Sequence, residues 1–129
     1  MTNHISDKST VGTNVTLGHN VIIEDNVMIG NNVEIGHNVI IRENVLIGDN
    51  CKILDGAILG KMPAKASMSA TTGAVRELPP LKIGKAVTIG VGCVIYRGAK
   101  IGDFAFFGDL ATVREDVTIG EGTIIGRSA

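Results

Sequence analysis

The chain has little of what usually fills a protein core or charges a binding surface. It contains no tryptophan, only 3 % aromatic residues, three prolines and two cysteines among 129 residues. A core without rings must be built from many small aliphatic contacts, as in a solenoid. The formal net charge of −1 excludes a global field that would hold nucleic acid or an anionic membrane. No apolar run approaches membrane-spanning length, and the N-terminus lacks the apolar core of a signal peptide, so we expect a cytoplasmic protein.

What the chain has in abundance is a six-residue repeat. Residues 21–44 read VIIEDN, VMIGNN, VEIGHN and VIIREN, with a small aliphatic residue first, a large one third and Asn last. A period of six suits a short strand followed by a tight turn, and Asn tolerates the left-handed backbone of such a turn. This repeat is typical of an all-β fold, the parallel β-helix, in which stacked units bury what no single unit can.

The repeat predicts one β-helix domain over residues 11–129, after a polar lead-in at residues 1–10. An excursion at about residues 61–82 contains all three prolines and no hexad. The repeat then resumes in phase, as if the chain of one coil had been looped out. A long segment of this kind inside a compact domain is usually functional or disordered.

Several residues depart from the usual content of their slot in the repeat. Phe107 is the only ring in the large inward slot, where neighbouring alanines make room for it. Cys51 and Cys93 fall in small inward slots on different faces, so we expect two reduced core residues. Phe104 and Leu110 occupy turn slots that otherwise carry Asn or Gly, which predicts either a changed turn or a strained backbone.

One face of the predicted coil carries an apolar outward column. Ile22, Ile40, Ile58 and Val94 recur at multiples of 18 residues, which places them above one another on successive coils. An exposed apolar stripe edged by polar groups usually marks a subunit interface, so this column predicts an oligomer.

The segments ELPPLKIG, VIYRGAKIGD, FFGDLATVRED and IGEGTIIGR resemble the bacterial hexapeptide-repeat N-acyltransferases that act on nucleotide-linked amino sugars. The resemblance runs from about Val11 to Arg127 and covers the N-terminal part of a typical member. It implies a left-handed parallel β-helix and a homotrimer with active sites between subunits. It further implies an acyl-CoA co-substrate, such as acetyl-CoA.

The same resemblance implies particular site residues. Asp109 matches the acid thought to orient the sugar amine while the departing thiolate takes the proton. Asp103 also follows a Gly and is the alternative, and either Asp could serve only as a turn residue.

Cationic residues near the excursion are the candidates for substrate binding. Tyr96, Arg97 and Arg114 could serve a nucleotide diphosphate, since the guanidinium fork fits phosphate oxygens, although an inter-subunit ion pair is an alternative for Arg114. Lys61 and Lys65 could meet phosphates of the sugar nucleotide or of coenzyme A, or be solvated loop lysines.

Two other functions remain open at this point. The three histidines are His4, His19 and His37, and a zinc site like that of the γ-class carbonic anhydrases would need a third His near the other two. His4 lies in the lead-in, so we expect no metal. A trimeric β-helix module without catalysis is the second alternative to an acyltransferase.

Overall fold

Eighteen strands of two to four residues wind through residues 2–64 and 77–129, the part of the chain that this computed structural model describes. Three strands complete one turn of the coil, and strands from successive turns pair in parallel to form three six-stranded sheets. Sheet A contains β1 His4–Ile5, β4 Ile22–Ile23, β7 Ile40–Ile41, β10 Ile58–Lys61, β13 Val94–Tyr96 and β16 Thr112–Val113. Sheet B contains β2 Thr10–Val11, β5 Met28–Ile29, β8 Leu46–Ile47, β11 Lys82–Ile83, β14 Lys100–Ile101 and β17 Thr118–Ile119. Sheet C contains β3 Thr16–Leu17, β6 Glu34–Ile35, β9 Lys52–Ile53, β12 Thr88–Ile89, β15 Phe106–Phe107 and β18 Ile124–Ile125.

This arrangement confirms the all-β parallel coil predicted from the hexads. The described residues include no helix long and apolar enough to cross a membrane. The coil also begins earlier than the pattern at Val11, because the His4 N–H donates to the Val21 carbonyl at 2.9 Å and β1 pairs with β4. Part of the expected lead-in is therefore the first strand of sheet A.

The strand register confirms that the excursion leaves the phase of the coil unchanged. Leu46 of β8 pairs directly with Lys82 of β11, twice the usual sequence separation of 18 residues. The coil that follows the excursion therefore stacks on the coil that precedes it in the ordinary register.

The inward slots of all three sheets form one aliphatic core. Phe107 is fully buried with Ala99, Ala105 and Ala111 in the same cluster, which confirms its role in core packing. Cys51 and Cys93 are buried and unpaired, also as predicted. Burial raises the pKa of both thiols.

The turn slots adopt the left-handed backbone that their Asn residues predict. Asn14, Asn20, Asn26, Asn32, Asn38, Asn44 and Asn50 have φ between 58° and 66°. Phe104 and Leu110 have φ of 63° and 64°, so the turn type is kept and two bulky residues adopt a strained conformation. For residues with a Cβ this conformation costs about 1–2 kcal/mol.

A ladder of side-chain acceptors joins successive coils at the turns. At many turns a side-chain oxygen or nitrogen accepts a hydrogen bond from the backbone N–H 18 residues earlier: Asn31 from Thr13, His37 from His19, Asp49 from Asn31, Asp55 from His37, Asp103 from Lys85 and Asp109 from Val91. The acceptor side chain lies directly against the Gly of the preceding coil, where a Cβ would be. A Cβ on Gly90, for example, would lie 2.8 Å from Oδ1 of Asp109. The repeated Gly is therefore required by contact between coils.

Candidate functional site

The residues singled out by sequence lie at two corners of the coil. Lys61, Tyr96, Arg97 and Arg114 lie at the A/B corner, where the chain passes from sheet A to sheet B. Asp109 lies at the C/A corner, where the chain enters sheet A. Strand β16 runs between Asp109 and Arg114, so the two groups occupy opposite edges of sheet A within one chain.

Tyr96 forms the centre of a cationic cluster at the A/B corner. Its side chain is mostly buried, with 9 % of the residue exposed. The Arg114 guanidinium carbon lies 4.2 Å from the ring centroid, and its Nη1 donates to the phenol oxygen at 3.3 Å. Lys61 Nζ lies 5.1 Å from the same centroid. Two cations therefore share one ring, while Glu115, which accepts from Arg114 Nε at 2.8 Å, raises the Arg114 pKa.

Arg97 connects the two ends of the excursion to the coil. Its Nε donates to the Leu78 carbonyl at 3.0 Å, its Nη1 to the Glu43 carbonyl at 3.2 Å, and its backbone N–H to the Lys61 carbonyl at 3.0 Å. These contacts give Arg97 a structural role that the sequence does not reveal. Within the described part of the chain, Nη2 is the edge of Arg97 that could contact a ligand.

Asp109 is an exposed member of the acceptor ladder. Oδ1 accepts from Val91 N–H at 2.8 Å, whereas Oδ2 makes no hydrogen bond with any described residue. Exposed apolar side chains surround this corner, including Val91, Phe106 and Leu110. The carboxylate is thus held through one oxygen, at a corner whose exposed neighbours are apolar. Asp103 has the same geometry, with Oδ1 2.9 Å from Lys85 N, at the corner between sheets B and C.

The remaining sequence-derived candidates do not join either corner. Lys65 lies outside the described residues. His19 and His37 stack on adjacent coils with ring centroids 5.2 Å apart, while His4 lies in strand β1. Within residues 2–64 and 77–129, no three His, Cys, Asp or Glu residues converge in a way that could hold a metal ion.

A notch at the A/B corner is a feature that the sequence analysis missed. It has a volume of about 210 Å³ and is lined by Glu24, Arg42, Glu43, Gly60 and Arg97, among others. Arg42 Nε donates to Glu24 Oε1 at 2.8 Å along one wall. The only sequence signal for the notch is the Gly that interrupts the apolar strand where the excursion begins.

The apolar outward column lies where the spacing places it. Ile22, Ile40, Ile58 and Val94 are register partners on consecutive strands of sheet A. Ile22 is 36 % exposed and the other three are partly exposed, so the column forms a continuous apolar strip between the A/B and C/A corners.

Two sequence profiles of known families match the repeats. The profile for bacterial transferase hexapeptide (six repeats) matches residues 4–37 and 26–61. The profile for the hexapeptide repeat of succinyl-transferase matches residues 80–105. The chain belongs to the hexapeptide-repeat proteins. Among curated protein sequences there is no significant match to this hexapeptide-repeat protein.

Solved structures of hexapeptide-repeat transferases share the fold. Two are variants of perosamine N-acetyltransferase from Caulobacter crescentus in which one histidine is replaced by asparagine or alanine, each in complex with CoA and GDP-perosamine. The asparagine variant gives a TM-score of 0.67 at 21 % identity, and the alanine variant gives 0.70 at 20 %. The matches cover 97 % and 98 % of this chain but only 48 % and 50 % of those chains, so this chain spans about half their length. A hexapeptide transferase family protein from Anaplasma phagocytophilum gives 0.62 at 18 % identity, covering 97 % of this chain and 70 % of that one.

Proposed function

We propose that this hexapeptide-repeat protein is a cytoplasmic, acyl-CoA-dependent N-acyltransferase that acetylates a nucleotide-linked amino sugar. The observation that carries the proposal is the cluster of Lys61 and Arg114 around Tyr96, beside the excursion of a hexapeptide-transferase coil. Lys61 offers a cation to a nucleotide diphosphate, and Arg114, whose guanidinium group is bonded to Glu115 and Tyr96, would bind phosphate oxygens by exchanging Glu115 for them. The complex of perosamine N-acetyltransferase with CoA and GDP-perosamine supports this substrate class.

The proposed reaction forms an amide and releases a thiol. The neutral sugar amine attacks the thioester carbonyl, a C–N bond forms as the C–S bond breaks, and the departing thiolate takes the amine proton. Asp109 is the residue we assign to orient the amine, because its Oδ1 is held by Val91 N–H while Oδ2 is available to accept from the amine. A neighbouring subunit at this corner would cover the exposed carboxylate, and a carboxylate shielded from water orients an amine more strongly than a hydrated one.

A homotrimer unites the two corners into one site. If sheet A faces a threefold axis through the column of Ile22, Ile40, Ile58 and Val94, the C/A corner of one subunit meets the A/B corner of the next. Such a heterologous contact closes into a ring after three subunits. Asp109 of one subunit would then approach Tyr96 of its neighbour, although the two lie on opposite edges of sheet A within one chain.

Ligand binding and product analysis test the proposal. Acetyl-CoA and a nucleotide-linked amino sugar should each raise the melting temperature, since a ligand specific for the folded state stabilises it by mass action. Mass spectrometry should then show the sugar gaining one acetyl group. If neither ligand shifts the melting temperature and no product forms across a panel of nucleotide amino sugars, the proposed activity is wrong and the alternative of a β-helix module without catalysis is favoured.

A further inference from the structure

A polar groove runs along the B/C corner, where the chain passes from sheet B to sheet C. We propose that this groove binds a neutral oligosaccharide, whose rings would contact the amides of the turns and end against the ring of Phe104. The proposal does not rest on acyl transfer. In the trimer proposed above, the A/B and C/A corners meet between subunits, so the B/C corner remains exposed.

Two columns of stacked side chains form the walls of the groove. One is the turn column, in which the N–H of each turn residue donates to a carbonyl of the preceding coil at 2.8–2.9 Å, as from Asn50 to Asn31. The other is the outward column of sheet C, whose members are register partners on successive strands. The groove has a volume of about 430 Å³ and is lined by Asn14, Thr16, Asn32, Glu34, Asn50 and Lys52. This volume falls within the roughly 300–1,000 Å³ of small-molecule sites.

The amides of the groove offer both donors and acceptors to a ligand. Asn14 Nδ2 donates to Asn32 Oδ1 at 2.9 Å, but the Asn50 carboxamide makes no hydrogen bond with any described residue. Sugar hydroxyl groups also both donate and accept, so a row of amides suits them. Successive coils lie roughly 4.8 Å apart, which is close to the length of one unit in an extended β-linked sugar chain.

Phe104 has a strained backbone that the packing of the fold does not explain. Its φ is 63°, in the slot that Asn usually fills, and 52 % of the residue is exposed although Lys85 Nζ lies 5.8 Å from the ring centroid. Strained residues of this kind cluster at ligand sites. Ala86 fills the same slot one coil earlier, with φ of 54°, so only a methyl group stands in the column between the Asn50 carboxamide and the Phe104 ring.

Phe106 adds a second exposed ring to this end of the groove. It is 48 % exposed in the outward column of sheet C, where its register partner is Thr88. The groove therefore leads from the amides past the small side chains of Ala86 and Thr88 to two aromatic rings. An aromatic ring can pack against the apolar face of a sugar while the hydroxyl groups of the sugar bond to the amides. This combination favours a sugar over a purely apolar ligand.

The charges around the groove favour a neutral chain over an anionic one. The corner and the adjoining part of sheet C carry four carboxylates and two ammonium groups: Glu34, Asp49, Asp103 and Glu121 against Lys52 and Lys85. Lys82 and Lys100 on the outward column of sheet B bring the cations only to equality. No excess of positive charge is present to hold a phosphate backbone or a sulfated glycan.

Saturation-transfer NMR with two tetrasaccharides tests the groove. Cellotetraose and the anionic tetragalacturonate would be added at millimolar concentration to the native protein, to Phe104→Asn and to Asn50→Gly. We expect transfer to cellotetraose, which is extended and neutral, and less to tetragalacturonate. Each substitution should weaken cellotetraose binding by about two- to tenfold, the effect of one lost ring contact or one lost neutral hydrogen bond. Asn and Gly both suit the left-handed turn, so both variants should fold, and melting curves verify this.

Met28→Thr is the matched control for the loss of an exposed apolar side chain. Met28 is 54 % exposed on sheet B, and this variant should bind cellotetraose like the native protein. The assignment is overturned by absence of transfer to cellotetraose, by equal binding in native protein and both groove variants, or by an equal loss in Met28→Thr. Stronger transfer to tetragalacturonate would also overturn it. Cellotetraose binding that is weakened in both groove variants, without any acetyl transfer, would support the groove and refute only the function proposed above.

Discussion

Replacing Asp109 by Asn separates a catalytic carboxylate from a structural one. The ladder needs only a side-chain acceptor, and Asn31 already fills the same slot of the hexad at the corner between sheets B and C, accepting from Thr13 N–H at 2.8 Å. Asp109→Asn should therefore keep the hydrogen bond from Val91 and lose only its charge assistance. The loss is about 1 kcal/mol, the difference between charged and neutral hydrogen bonds, and it should lower the melting temperature by a few degrees, about 2–8 °C.

Turnover should respond far more strongly than stability. Loss of a group that takes part in proton transfer or orients the amine typically lowers the rate by about 10²-fold or more, equivalent to about 2.7 kcal/mol in the activation free energy. The assay measures acetyl transfer to a nucleotide amino sugar through the free CoA thiol that the reaction releases.

Asp103→Asn provides the matched control for this experiment. Asp103 accepts from Lys85 N–H with the same geometry but lies at another corner of the coil. It should show the same small change in melting temperature and near-normal turnover. Near-normal turnover in Asp109→Asn would refute the catalytic assignment, and a selective loss in Asp103→Asn would transfer it to that residue.

Three further substitutions or treatments test the interface, the strained turn and the buried thiols. Ile40→Glu puts an unpaired charge into the apolar column, which typically costs several kcal/mol in a desolvated interface. Light scattering should therefore show dissociation or aggregation. A stable trimer would contradict the assignment of the column as an interface. Phe104→Asn removes backbone strain but also loses the contact between Lys85 Nζ and the ring centroid, 5.8 Å apart. Urea titration should show the free energy of unfolding rising by up to about 1 kcal/mol. A fall below the native value would show that the ring stabilises the fold. Burial raises the pKa of Cys51 and Cys93, so the reactive thiolate is scarce at neutral pH. Iodoacetamide should therefore label both thiols slowly in the native protein and rapidly in denaturant. Rapid labelling of the native protein would contradict their burial.

The tight packing of the ladder explains why Gly recurs before so many turns. The repeat alone shows that Gly recurs at a fixed position of the hexad. Considered only within one turn, this Gly would be explained by the backbone flexibility that glycine allows. In the structure the Asp109 carboxylate crosses Gly90, and the His37 ring nitrogen crosses Gly18, so a side chain at either Gly would collide with the next coil. This constraint joins residues 18 positions apart and is invisible within one hexad.

The six-residue period determined the parts of this protein that depend on local geometry. Alternation within each hexad decides which side chains point inward, and Asn supplies the left-handed turns, so the three sheets, the buried Phe107 and the apolar column through Ile40 could all be predicted. The handedness of the coil and the trimer came from the resemblance alone and stay predictions.

Only the tertiary structure decided how neighbouring coils meet at the corners. The bulge at Gly60, the carbonyls that bind Arg97 and the anchoring of Asp109 by Val91 all join residues far apart in sequence. Their geometry depends on the direction of single side chains and on a one-residue shift of register, which a periodic pattern averages out. Asp109 and Tyr96 lie on opposite edges of sheet A. Strand β16 crosses this face of the coil between Asp109 and Arg114, and Arg114 lies beside Tyr96.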